Sequence, residues 1–205
     1  MRVVLASANP GKLRELRALL EPLGLELIAQ ASLGIQGAEE NGSSFRDNAL
    51  IKAHHAALSS GLGALADDSG LEVDALGGRP GVRSARYAGP DATDAQNLEK
   101  LLEELRDVPD DRRGARYRCS IAFVRAPGDP SPLVAEGTWE GRIARAPRGT
   151  RGFGYDPVFV PAASGVTAAE LPPDVKNSLS HRGQALRSLQ SQLRLWMQER
   201  RGTGT

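Results

Sequence analysis

The chain has 205 residues, of which 40% are hydrophobic, and a formal net charge of +1. That length can bury a sizeable core in one domain or in one domain with two lobes. A near-neutral balance with only 4% aromatics excludes the basic, stacking surface of a general nucleic-acid binder, and 23 glycines with 13 prolines mean many turns but not a low-complexity chain. No positively charged leader with an apolar segment and no run of 18 apolar residues is present, so the expectation is a cytoplasmic chain with no membrane partner. Cys119 has no cysteine to pair with and reads as a small core residue. Of the 26 basic residues only Lys12, Lys52, Lys100 and Lys176 are lysines. A compact ammonium meets a phosphate as a point charge where a guanidinium offers a planar fork, which makes these lysines worth following.

In chain order, Val3 to Ala6 predicts a buried strand, Ser7-Ala-Asn-Pro-Gly-Lys12 a turn, and Leu13, Leu16, Leu19 and Leu20 a helix. Such a turn aims backbone N–H groups and a helix N-terminus at one spot, where Lys12 adds a full positive charge. It is not a Walker A loop, which needs Gly in place of Ala6 and Ser or Thr in place of Leu13. Residues 25–30 predict a second strand. After Glu39 and Glu40, a helix is expected from Ser44 to Ser59, with Ser44 and Asp47 spaced as a capping box. Its apolar stripe is Phe45, Ala49, Ala53 and Ala56, while Asn48, Lys52 and His55 share another face. His54 and His55 also fit an ordinary solvated surface.

Gly63 to Ala66 predicts a short strand that ends in Asp67-Asp68-Ser69-Gly70. Read locally, Asp-Ser-Gly is turn chemistry, which places both carboxylates at a strand end. If extended geometry persists, successive side chains point to opposite faces, so one aspartate alone faces a given site. Leu71 to Leu76 is followed by a structured Gly/Pro-rich loop, by a helix built on Leu98, Leu101, Leu102 and Leu105, and by antiparallel strands over Tyr117 to Val124, Leu133 to Trp139 and near Ile143. Gly152-Phe-Gly-Tyr-Asp156 sets an aromatic ring between glycines, where ring and backbone can approach a flat ligand. A final helix starts near Ser180-His-Arg182 and carries Leu186, Leu189, Leu193 and Trp196 on one face. Positive charge at a helix N-terminus opposes its dipole, so His181 and Arg182 ask for a nearby anion. Residues 200–205 are expected to be a frayed tail.

With these stretches in order, the chain resembles the inosine triphosphate pyrophosphatase family, house-cleaning enzymes that hydrolyse dITP, ITP and XTP. The likeness covers about residues 2–196 and rests on Ser7 to Lys12, Glu39-Glu40, Asn48 with Lys52, Ala66 to Gly70, Ser84-Ala-Arg-Tyr87, Gly152 to Asp156, Lys176 and Ser180-His-Arg182. The resemblance implies an elongated α/β fold, with two lobes around a central mixed β-sheet and the active-site cleft between them. It also implies one pyrophosphatase domain over residues 1–199, a homodimer, and Mg2+ as cofactor. It gives Ser7, Ala8, Asn9, Pro10, Gly11 and Lys12 to the triphosphate, Glu40 and Asp68 to the metal, and Asp68 and Lys52 to catalysis. Ser69, Phe153, Gly154, Tyr155, Asp156, Lys176, His181 and Arg182 complete the nucleotide site, with Phe153 against the base; that leaves Asp67 the supporting role that strand alternation allows. Ala8 departs from the glycine common among relatives, and Val175 from an acidic residue. The alternatives are a related pyrophosphatase acting on other modified nucleotides, such as the septum-inhibitor type, and a non-catalytic nucleotide-binding module.

Overall fold

Val3, Val4 and Leu5, three consecutive residues with no exposed surface, can be buried on both faces only inside a sheet that is covered on both sides. The computed structural model describes residues 1–7, 9–20, 24–162 and 164–202, with side chains over the same range except at 10, 18, 19 and 199–202. Its elements are β1 (Arg2–Leu5), α1 (Pro10–Leu20), β2 (Glu26–Ala29), α2 (Phe45–Ser60), β3 (Gly63–Val73), α3 (Asp94–Glu104), β4 (Gly114–Val124), β5 (Leu133–Ile143), β6 (Phe159–Pro161), α4 (Pro173–Leu179) and α5 (His181–Gly202). Among the described residues the strands form one sheet in the order β2-β1-β3-β4-β5-β6. It is mixed, since β1 runs parallel to both β2 and β3 while β5 and β6 are antiparallel. The expected α/β class with a mixed sheet is what the chain adopts.

Two compact units divide the chain, one made of residues 1–68, 119–137 and 182–205 and the other of residues 69–118 and 138–181. In the first unit, strand alternation sorts two cores. Val3, Leu5, Leu65, Cys119, Ile121 and Phe123 pack with Leu16 and Leu20 of α1 and with Leu186, Leu189 and Leu193 of α5. The intervening Val4, Ala64, Ala66, Ala122 and Val124 pack with Ala49, Ala53, Ala56 and Ala57 of α2. In the second unit, Leu71, Val73, Ala115, Tyr117, Trp139, Ile143 and Phe159 close over Leu101 and Leu105.

Three expectations are corrected. β3 does not stop at Asp67-Asp68; it runs unbroken from Gly63 to Val73, so the carboxylates are mid-strand and no turn forms at Ser69-Gly70. β1 pairs only with Gly63 to Leu65 of β3, and β4 lies on the other side of β3 in the sheet; membership of that sheet overrides the local turn preference of Asp-Ser-Gly. The capping box at α2 is half formed: the Ser44 hydroxyl accepts Asp47 N–H, but the Asp47 carboxylate accepts from the Ser43 hydroxyl instead. α5 continues to Gly202, into the stretch expected as tail, and residues 203–205 lie outside the described residues. The short elements β6 and α4 were not anticipated.

The α2 core is almost all alanine on both sides, which lets helix and sheet approach closely and carries Asn48 and Lys52 down to β3. Ala53 has no exposed surface. Replacing it with leucine should force α2 outward at a cost of about 1–3 kcal/mol. Thermal denaturation is expected to show the loss, and activity should fall with it because Lys52 moves away from Asp68.

Candidate active site

The pleat of β3 divides its two aspartates. Asp67 follows Leu65 onto the face of α1 and α5, where its Oδ2 lies 3.2 Å from Lys12 Nζ and accepts from Arg182 Nε and Nη2 at 3.3 and 3.2 Å. Arg182 is also paired with Glu15 of α1. The Asp67 side chain is fully buried. Burial alone would raise its pKa, but Lys12, Arg182 and Lys52 outweigh it and hold the carboxyl well below the usual range. The two carboxylates likewise raise Arg182 despite its burial. The anion that two positive residues at a helix N-terminus seemed to require is, for Arg182, supplied by the protein itself.

Asp68 follows Ala66 onto the α2 face. Its Oδ1 accepts from Lys52 Nζ at 2.9 Å and its Oδ2 from Asn48 Nδ2 at 3.2 Å. Lys52 Nζ donates equally to Glu40 Oε1, at 2.9 Å, so Glu40 and Asp68 converge on one ammonium. Burial pushes the Asp68 carboxyl up; Lys52 and Lys12 pull it down without cancelling the rise, and Glu40 adds to it. Lys52 itself is raised, because Asp68, Asp67 and Glu40 overcome its burial. Glu39 is exposed, and His55 leaves the cluster, its Nε2 lying 2.9 Å from the Gln36 carbonyl.

The turn before α1 is organised by Asn9, whose side-chain oxygen accepts from Gly11 N–H at 2.8 Å and Lys12 N–H at 3.1 Å, while its own N–H donates to Ser7 Oγ at 3.2 Å. Asn9 therefore caps the helix and engages two of the N–H groups that the sequence offered to an anion. Pro10 opens α1, where a missing N–H costs nothing. Ala8 lies outside the described residues.

In the second unit the hub is Asp156, only 2% exposed. Its Oδ2 accepts from Phe153 N–H at 2.9 Å and lies 2.6 Å from Lys176 Nζ, and its Oδ1 accepts from the Tyr117 hydroxyl at 3.3 Å. Gly152 has φ +79°, and a Cβ there would fall 2.0 Å from Asp156 Oδ2, so the loop closes only around glycine. Lys176 Nζ stands 4.9 Å from the Phe153 ring centroid, a cation–π contact. Tyr117 stacks on His181 with centroids 4.6 Å apart and planes at 9°. The loop is anchored further by Tyr155, whose hydroxyl donates to the Ser84 carbonyl at 2.8 Å, and by Gly154 N–H, which donates to Asp94 at 2.7 Å. Ser69 is the first residue of this unit and is half-buried in β3.

The residues singled out in the sequence thus gather in two sets. Lys12, Glu40, Lys52, Asp67, Asp68 and Arg182 share one unit; Phe153 to Asp156, Lys176 and His181 share the other. Glu15 and Tyr117 were missed, while Asn48 entered through the helix face it shares with Lys52 and as part of a motif, without a role of its own. The available signals were Glu15 three residues after Lys12, Asn48 four residues before Lys52, and Tyr117 two residues before Cys119 on one strand face.

The two aspartates should respond oppositely to neutralisation. Asp67→Asn removes the carboxylate that Lys12 and Arg182 share, leaving Arg182 with Glu15 alone, and should cost about 3–5 kcal/mol, a fall of roughly 10 °C in Tm for a chain of this size. Asp68→Asn, with Glu40 still on Lys52, should cost under about 1 kcal/mol while abolishing activity. Because the folded-state value of Asp67 is depressed, its stabilisation is full above the ordinary carboxyl range near pH 4 and fades as pH falls below it. Denaturation from pH 7 to pH 3 should show this acid loss in the parent and a smaller one in Asp67→Asn, where Asp129 and the other depressed carboxyls still contribute.

A family model described as the Ham1 family matches residues 3–192. A dITP/XTP pyrophosphatase of Shigella flexneri is 57% identical over 193 residues, 94% of this chain and 98% of its own. One of Methylococcus capsulatus is 60% identical over 193 residues, covering 94% and 96%. A solved HAM1 protein from Coxiella burnetii superposes with a TM-score of 0.87 at 51% identity over 94% of this chain and 98% of its own. Likeness at this level over nearly the full length, with the motif residues gathered as described, shows that the chain belongs to the Ham1 family.

Proposed function

We propose that the chain hydrolyses deaminated purine nucleoside triphosphates, dITP, ITP and XTP, to the monophosphate and pyrophosphate, as one domain spanning residues 1–199. The observation that carries this reading is the grip of Lys52 on Glu40 and Asp68 together, in a chain whose relatives bear the name dITP/XTP pyrophosphatase. Water attacks the α-phosphorus, the bond to the β-phosphate oxygen breaks, and pyrophosphate leaves. Asp68, lifted by burial, accepts the proton of that water. Lys12 and Lys52 offset the charge spread over the phosphate oxygens, the electrostatic contribution that dominates phosphoryl transfer.

Two convergent carboxylates give a hard cation the oxygen donors it prefers. Among the described residues no group of three or more His, Cys, Asp or Glu side chains forms a dedicated cage. That donor set fits Mg2+, which is held by one or two carboxylates with the rest of its shell from phosphates and water. Glu40 and Asp68 would hold it, and when bound it supplies charge neutralisation at the phosphates. The same reading makes the protein a cytoplasmic homodimer.

For the base, Arg182 supplies a donor. Hypoxanthine and xanthine carry an acceptor oxygen at position six where adenine carries an amino group, so a donor pairs with the first two and is left unpaired by the third. Such a buried bond discriminates by roughly 10⁴. Asp67 and Glu15 hold the guanidinium from two sides, which fixes the donor before substrate arrives.

A panel of ITP, XTP, GTP and ATP, with and without Mg2+, scored for pyrophosphate against orthophosphate, tests the reaction. Pyrophosphate from ITP and XTP in preference to ATP, abolished by chelation, is expected; orthophosphate as first product would overturn the α-phosphorus assignment. Arg182→Ala should lower the ITP over ATP ratio of kcat/KM by at least about 100-fold, and an unchanged ratio would remove Arg182 from base selection whatever happens to the absolute rates.

A further inference from the structure

We propose that Asn48 is a positioning residue which, through Gly42, sets the spacing of Glu40 and Asp68 and hence the affinity for the metal. This rests on the assignment of those two carboxylates to the metal. Asn48 has no exposed surface, and a buried carboxamide must satisfy both of its ends. Its Oδ1 accepts from Gly42 N–H at 2.8 Å and its Nδ2 donates to Asp68 Oδ2 at 3.2 Å. The orientation of the amide is dictated by its partners, since an N–H needs an acceptor and a carboxylate needs a donor.

Gly42 lies two residues beyond Glu40, so the bond pins the segment that carries Glu40 to the side chain that orients Asp68. The fit is close: a Cβ on Gly42 would sit 2.6 Å from Asn48 Oδ1 and 3.0 Å from Asn48 N. One turn further along α2, Lys52 holds Glu40 and the other oxygen of Asp68. The two residues do different jobs. Lys52 binds with charge and competes with any cation for the same oxygens. Asn48 is neutral, so it fixes Asp68 without spending the negative charge that a metal needs. Groups that orient ligating carboxylates in this way typically change metal affinity 10- to 100-fold when removed.

The test compares the full-length parent with Asn48→Ala and Gly42→Ala. Mn2+ binding is followed by electron paramagnetic resonance with and without a non-hydrolysable ITP analogue, alongside Tm, half-saturating Mg2+ for pyrophosphate release, and KM for ITP at saturating metal. Gly42→Ala keeps every buried polar group and sits on a partly exposed loop, so it remains informative if Asn48→Ala fails to fold. Both folded variants should bind Mn2+ about 10- to 100-fold more weakly, with KM at saturating metal within about threefold of the parent. Unchanged Mn2+ affinity in a folded variant overturns the proposal, as does a parent that binds no Mn2+ with nucleotide present. A parent that binds Mn2+ but releases no pyrophosphate from ITP overturns the proposed reaction instead and leaves the Asn48 assignment standing.

Discussion

The period of two along β3 is the constraint on which the rest depends. Adjacent aspartates on a strand cannot share a face, so Asp67 and Asp68 are driven into different surroundings although their chemistry is the same. Asp67 enters the face where α1 and α5 bring Lys12 and Arg182, and its charge is saturated from both sides. Asp68 enters the face of α2, where one lysine is shared with Glu40 and the second partner is a neutral amide. A carboxylate saturated with fixed cations is a structural anchor. One whose burial outweighs its cation, with a second acid beside it, keeps the capacity to bind a metal and to take a proton.

That division requires α2 to lie close to the sheet, and the alanine layer provides it. Ala49, Ala53, Ala56 and Ala57 meet Ala64, Ala66 and Ala122 with no exposed surface beyond 1%. Such a layer contributes less hydrophobic stabilisation than leucines would, while the larger side chains of the opposite core, Leu16, Leu20, Leu186, Leu189 and Phe123, carry more of that load. The first unit is therefore asymmetric by design of its sequence. Its bulky face supplies more stability, and its small-residue face brings polar groups of a helix within hydrogen-bond reach of a strand.

Much of this order is legible in the sequence, because apolar runs and caps act locally. The runs at residues 3–5 and 117–124, the leucine spacing of α1 and α5, and Ser44 ahead of α2 all place their elements within a few residues. Asp-Ser-Gly misled for a physical reason: its turn preference is a property of four residues, while the strand that replaced it is imposed by neighbours far away in the chain. α4 was hidden for the opposite reason. It is only seven residues long and opens on Pro173, which looks like a break until the helix beyond it is seen. In the site, the residues that carry charge were readable, and those that orient them were not. Glu15 meets Arg182 across 167 positions and Asn48 meets Asp68 across 20, separations at which no local pattern survives.

Charge balance links the first unit to the proposed reaction. Lys12, Lys52 and Arg182 are each committed to carboxylates, and they face four of them: Glu15, Glu40, Asp67 and Asp68. The network as it stands carries one negative charge, which repels a triphosphate. The lysines alone cannot reverse this, since every ammonium turned toward phosphate uncovers a buried or half-buried carboxylate, and an unpaired buried charge costs several kcal/mol, on the order of 3–5. A divalent cation held by Glu40 and Asp68, as proposed, would change the sign of the network and would free Lys52 from those two acids. The proposed metal dependence therefore follows from how the protein's own cations are already spent.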